Sequence, residues 1–173
     1  MSRRWTHLLI LALLCGSLSG PEINPGRVMA AVSGSSTPAF ELVTFAGEAY
    51  SKETLKGRPT LLVFWASWCP VCRKELPVLS RFYEKDRPAQ LRMISIGFSD
   101  LRGNIERYVQ ANPEAFVFPA AFDVDNDVAQ AFKVTATPTL VLLDANGAIV
   151  LVHRGAGVLH NSKFQEFLAA VKA

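Results

Sequence analysis

Residues 64–77 read FWASWCPVCRKELP, and the two cysteines in that stretch, Cys69 and Cys72, stand one helical turn apart. They follow a nearly continuous apolar run, TLLVFWA at Thr60–Ala66, bounded by Pro59 and Ser67. A run of that length fits a strand buried on both faces. After it, Cys72, Leu76, Leu79 and Tyr83 recur at helical spacing, predicting a helix from Cys69 to Lys85. The pair therefore falls where a buried strand hands over to a helix.

Three chemistries use a Cys-x-x-Cys pair. As a staple it closes a four-residue loop, worth about 2 kcal/mol at best before strain, a poor reason to place a bridge there. A structural zinc site needs four ligands. The third cysteine, Cys15, lies far upstream, and His153 and His160 bring no second ligand pair. A redox couple explains more. Unpaired N–H groups and the dipole at a helix start favour an anion, hence a thiolate, the attacking species in disulfide exchange. Cys72, one turn on, is placed to resolve a mixed disulfide on Cys69.

Outward from this centre, Phe40–Phe45 and Leu91–Phe98 are further strand candidates, and Ile105–Gln110 is a short helical patch ended by Asn112-Pro113. A short apolar piece at Phe116–Phe118 and a helix at Val128–Phe132 follow. Thr139–Leu143 and Ala148–Arg154 flank Asp144-Ala-Asn-Gly147, whose Asn-Gly predicts a hairpin and so an antiparallel pair. A last amphipathic helix covers Ser162–Val171. Strand, helix, strand implies a right-handed parallel crossover, and the expected class is α/β, a mixed central sheet flanked by helices.

The chain has 173 residues, is 50% hydrophobic and 19% charged, and fits one folded domain. Its start is different in kind. Arg3, Arg4 and His7 precede eight apolar residues, Leu8–Cys15, and then Gly16, Ser17 and Ser19. That is the pattern of an export signal, with an uncleaved anchor from Trp5 to Leu18 as the other reading. Leu14, standing before Cys15, argues against a lipoprotein. Residues 1–19 are thus read as signal or anchor. Residues 20–38 are read as a flexible tether, since Ser19–Pro38 is half Gly, Pro and Ser. Residues 39–173 form the domain. The expected location is periplasmic or otherwise extracytoplasmic, where disulfides persist. A formal charge of +3 with no dense Lys/Arg cluster gives no nucleic-acid footprint.

FWASWCPVC resembles the active-site segment of thioredoxin-fold proteins, and Pro77, eight residues after Cys69, matches their helix-kinking proline. VTATPTLVLLDANG, Val134–Gly147, is similar to the segment carrying a cis proline that faces the dithiol. The leader and the extra region Asn104–Ala121 resemble the TlpA/ResA branch of exported thiol–disulfide oxidoreductases. The resemblance implies that Cys69 is the nucleophile, Cys72 the resolving cysteine and Pro138 the cis proline. Trp68, Pro70, Val71, Thr137 and Pro138 would meet the substrate, the Thr137 backbone by strand addition. It implies disulfide-containing extracytoplasmic clients, such as apocytochromes or copper-site proteins, and a membrane-borne thiol donor. No metal or organic cofactor is required. Val63 stands where thioredoxin has a buried aspartate, so the proton acceptor for Cys72 must come from elsewhere. Glu75, three residues on, resembles an acidic position in the ResA-like branch and is expected to manage that proton. The plain alternative is an acid favoured early in a helix by the dipole.

Other readings stay beside this one: a disulfide donor of the same fold, a Cu(I) carrier using both cysteines and His153, and a non-catalytic interaction module. Arg73 and Lys74 either favour the thiolate or form a solvated helix face. Asp123–Asp127, DVDND, lacks the Gly and Glu of a calcium loop, having Val128 and Val134 there. Asp127 is expected as the N-cap of the helix that follows.

Overall fold

The computed structural model describes residues 35–172. The expected leader, any anchor, Cys15 and most of the tether lie outside the described residues. Five strands form the main sheet: β3 (Thr60–Trp65), β4 (Arg92–Gly97), β5 (Ala120–Phe122), β6 (Thr139–Leu143) and β7 (Ile149–Arg154), ordered β5-β4-β3-β6-β7. β3 pairs in parallel with β4, and β4 with β5, whereas β6 is antiparallel to both β3 and β7. This is the expected mixed sheet.

Every residue of β3 is buried, and its alternation divides the core. Leu61, Val63 and Trp65 join Leu76 and Leu79 of α2 (Pro70–Lys85), Ile105 of α3 (Arg102–Ala111) and Phe164 of α5 (Ser162–Lys172). Leu62 and Phe64 turn to the other face, against Phe40, Leu42, Phe132 and Val128 of α4 (Asp127–Ala131). Each such side chain contributes about 1.5–3 kcal/mol when fully buried. A central strand needing both layers therefore reads as an unbroken apolar run.

Four local differences from the sequence reading have physical causes. First, Ser35–Thr37, expected in the tether, already belongs to the fold: Ile149 N–H donates to the Ser35 carbonyl, and both Thr37 N–H and its hydroxyl donate to Gly147 O at 2.9 and 2.7 Å. Second, the short apolar piece Phe116–Phe118 is no strand, and an unforeseen strand follows it at Ala120–Phe122. Phe116 instead lays its ring against Trp65, centroids 4.9 Å apart. Third, β1 (Glu41–Val43) is followed by an unforeseen partner strand β2 (Ala49–Ser51) and one-turn helix α1 (Lys52–Leu55). Ser51 opens α1 with a capping box, its side chain accepting from Glu53 and Thr54 N–H while Thr54 Oγ1 takes its own N–H.

Fourth, Asp127 does not cap α4. It is the first helical residue, and Asn126, at φ 61°, makes no capping bond. The buried Asp123 carboxylate accepts from Val128 N–H (2.9 Å) and Ala129 N–H (2.8 Å) instead. Positive φ at Asp125 and Asn126 folds the chain back so that the earlier acid reaches the helix start.

The Asn146-Gly147 turn is as expected, with Gly147 at φ 79° and the Asp144 carboxylate accepting from Asn146 and Ala148 N–H. Gly97 ends β4 under α3: a Cβ there would lie 2.6 Å from Ile105 Cγ2. Only glycine lets α3 sit that close, which brings the loop 98–101 beside the dithiol.

Candidate functional site

β3 ends at Trp65, and a short loop leads to Cys69, the N-cap of α2, with Pro70 at the first helical position. Proline there loses no helical bond and presets φ. Pro77 lies inside α2, where it removes one backbone donor. Cys69 and Cys72 are joined as a disulfide, Cα atoms 5.3 Å apart, and Cys72 N–H donates to Cys69 Sγ at 3.1 Å. That bond and the helix dipole both favour a thiolate on Cys69 once the pair is reduced. Cys69 keeps 3% of its surface exposed and Cys72 none, so of the two residues only Cys69 reaches solvent.

The Thr137–Pro138 bond is cis. Thr139 pairs with Phe64 across the β3–β6 ladder, which sets Pro138 at the sheet end from which the dithiol loop departs. Gly155 N–H donates to Pro138 O at 2.8 Å, holding the turn to the end of β7. Thr137 is half-buried and Pro138 buried. Trp68 is 56% exposed, its indole N–H donating to Ser99 O at 2.9 Å. Ser99 sits at φ 52° with its own N–H on Asn126 Oδ1. Pro70 and Val71 are exposed beside the cysteines. Trp65 is core, fully buried between Tyr108 and Phe116.

Val63 is buried among apolar side chains, so that position supplies no acid. Glu75 is buried on the dithiol helix, its Oε1 accepting from Gly157 N–H at 2.9 Å, a contact spanning 82 residues. Side chains three apart on a helix are neighbours, which places Glu75 next to Cys72. It also stands beyond the first turn of α2, where no acid is found. The dipole fades within that turn, so the dipole alone does not account for a buried acid here.

Sequence reasoning missed Asp100. Its Oδ2 accepts from Ser67 N–H (2.8 Å) and Ser67 Oγ–H (2.5 Å), and its Oδ1 from Leu101 N–H (2.7 Å) and Asn104 Nδ2 (3.0 Å). Burial pushes this carboxyl up, but the bonds from Ser67, Asn104 and Leu101 outweigh it and hold the group below the usual aspartate range. Arg73 Nε donates to Ser67 O at 2.7 Å, so Ser67, two residues before Cys69, is gripped at all its polar groups. The signal available was Ser-Asp at the end of a predicted strand, too common a pair to single out.

His153 is not gathered into the site: its Nε2 lies 3.0 Å from Ala156 O. Among the described residues no three His, Cys, Asp or Glu side chains converge as a metal site would require.

A sequence profile described as the AhpC/TSA family matches residues 33–152. The chain belongs to the AhpC/TSA family. Within it, the chain is 31% identical over 129 residues to sporulation thiol-disulfide oxidoreductase A of Bacillus subtilis, covering 72% of this chain and 76% of that one. It is 26% identical over 173 residues to the thiol-disulfide oxidoreductase ResA of Halalkalibacterium halodurans, covering 98% and 96%. A thiol:disulfide interchange protein of the thioredoxin family from Chlorobium tepidum superposes with a TM-score of 0.64 at 26% identity, over 83% of this chain and 97% of that one. This AhpC/TSA member is thus a thiol–disulfide oxidoreductase of the thioredoxin fold, ResA/DsbE-like, as its dithiol motif anticipates.

Proposed function

We propose that the chain is an exported protein-disulfide reductase working through Cys69 and Cys72. The observation that carries this is the asymmetry of the pair: Cys69 Sγ is the helix cap and receives the Cys72 N–H, and Cys69 is the residue of the two that retains exposure. In the reduced protein the Cys69 thiolate attacks one sulfur of a client disulfide and releases the other as a thiolate, which takes a proton. Cys72 gives its proton to Glu75, attacks Cys69 Sγ, and expels the second client sulfur as a thiolate, which takes up the second proton. The client gains two electrons and two protons, and the Cys69–Cys72 disulfide closes. Trp68, Pro70 and Val71 give the client an exposed rim, and Thr137 ahead of the cis Pro138 offers backbone for an extended segment.

The basic and apolar start, Arg3 to Ser19, supports export or a membrane tether, and the relatives named thiol-disulfide oxidoreductase support dithiol exchange. Clients are disulfide-containing extracytoplasmic proteins, with apocytochrome and copper-site cysteines as candidates. A membrane-borne thiol donor returns the two electrons. No helix among the described residues is long and apolar enough to cross a membrane.

The test is the reduction potential of the Cys69–Cys72 pair in a glutathione buffer. A value near or below about −200 mV, toward the thioredoxin end, is expected of a reductant. One near about −120 mV would make the protein a disulfide donor.

A further inference from the structure

Beside the dithiol, between the start of α2 and the outer side of α3, lies a cleft of about 260 Å³ lined by Ser67, Arg73, Asn104, Arg107, Tyr108 and Ala111. Two guanidinium groups and no carboxylate line it. Among the described residues the ion pair found on α3, Arg102–Glu106, engages neither arginine.

Both arginines are already held. Arg73 donates through Nε to Ser67 O and lies 5.3 Å from the Tyr108 ring centroid, which leaves its outer nitrogens for a ligand. Arg107 spends one nitrogen on Asn104 Oδ1. A guanidinium fixed in this way has given up much of its rotamer freedom before a ligand arrives, and its planar fork matches a carboxylate bidentately. Ser67 is two residues before Cys69, so the cleft begins within about 7 Å of the redox cysteine along the chain. Arg73 is one helical turn after it. A client whose sulfur reaches Cys69 Sγ therefore carries its flanking residues over this cleft.

We propose that the cleft is a specificity subsite for an acidic side chain, Asp or Glu, within about two residues of the client's reactive cysteine. This rests on the dithiol exchange proposed above and adds the client's charge to it. Ser67 O, clamped by Arg73, links the two: the residue that reads the client's acid also holds the loop that presents Cys69.

The test uses the reduced protein and three disulfide-bonded model peptides of the same length, with Glu, Gln or Lys beside the reactive cysteine. Exchange rates are followed by stopped flow at low and high salt. The expected result is that the Glu peptide reacts about threefold to fivefold faster than the Lys peptide, the range an exposed ion pair supports. The ratio should shrink at high salt. Arg107→Glu should invert the Glu-to-Lys ratio and Arg107→Gln should bring it toward one. Because the readout is a ratio within each variant, a loss common to all peptides cancels. Equal rates for the three peptides, or a ratio indifferent to Arg107→Glu, would overturn the subsite and leave the dithiol chemistry standing. Failure of the reduced protein to react with any peptide would overturn both.

Discussion

Two carboxylates flank the dithiol, and they live differently. Asp100, on the Cys69 side, is saturated: four donors meet its two oxygens and tie the end of β3 to the start of α3. Glu75, on the Cys72 side, is buried and accepts from Gly157 N–H at Oε1. A carboxylate wrapped in donors is stabilised as the anion and has no use for a proton. Glu75 meets a single backbone donor and shares the dithiol helix with Cys72. Asp100 is thus a fastener, and the proton acceptor proposed for Cys72 is the other carboxylate, Glu75. The environment sets the division.

Glu75→Gln puts the larger strain on that contrast. Glutamine keeps an oxygen for Gly157 N–H, so the fold should be little changed. The resolving step, in which Cys72 attacks Cys69 Sγ, should slow by about a hundredfold, the lower end of what a positioned acid or base contributes, and its pH dependence should flatten. Rapid-quench measurement of mixed-disulfide decay against pH reads this directly. An unchanged profile would make Glu75 a fastener too, and the contrast would collapse.

Asp100→Asn tests the other half. An amide offers one acceptor and one donor, and both Asp100 oxygens face donors, so one side of the clamp meets N–H with N–H. With the group partly solvated, a loss of about 1–2 kcal/mol is expected, visible in urea unfolding. Because the folded carboxyl lies below the usual aspartate range, its stabilisation is complete above about pH 4 and is lost as pH falls through the folded value. The stability gap between wild type and variant should therefore close on acidification. Equal stability at neutral pH, or a gap that widens in acid, would show that Asp100 is no fastener.

The contrast also marks what could be read in advance. The dithiol, the buried β3 and the hairpin at Asn146-Gly147 are local patterns: apolar period, helix spacing and turn chemistry lie within a few residues of each other. Glu75 was visible because it rides the same helix as Cys72. Asp100 was not, because its role is made by a loop that Gly97 allows to come within reach of Ser67, 33 residues away in sequence. The error at Asp127 has the same origin. Within DVDND any acid can cap a helix, and the choice of Asp123 is made by two positive-φ residues that no side-chain pattern announces. Ser51-Lys-Glu-Thr54 forms a capping box with Thr54 where the usual pattern has Glu or Gln, and a single turn of helix leaves no apolar period to prompt the search. Likewise the last residues of the expected tether are drawn into the fold by Gly147 O, a partner 110 positions from Thr37.

Ser67→Ala is the smallest and finest of the tests. It deletes the hydroxyl bond to Asp100 Oδ2 and leaves the Ser67 N–H bond to the same oxygen, as well as the Arg73 bond to Ser67 O. A loss of about 0.5–1.5 kcal/mol is expected from one hydrogen bond, less than for Asp100→Asn because three of the four donors remain. If the clamp serves only to hold the loop, the potential of the dithiol and the rate of attack by Cys69 should stay at their wild-type values while stability falls. If the clamp also sets where Cys69 Sγ points, attack should slow while resolution by Cys72, governed from the Glu75 side, does not. Measuring both steps on Ser67→Ala and Glu75→Gln, and then on the double variant, decides between them. Independent sides predict effects that add, whereas a single coupled site predicts that they do not.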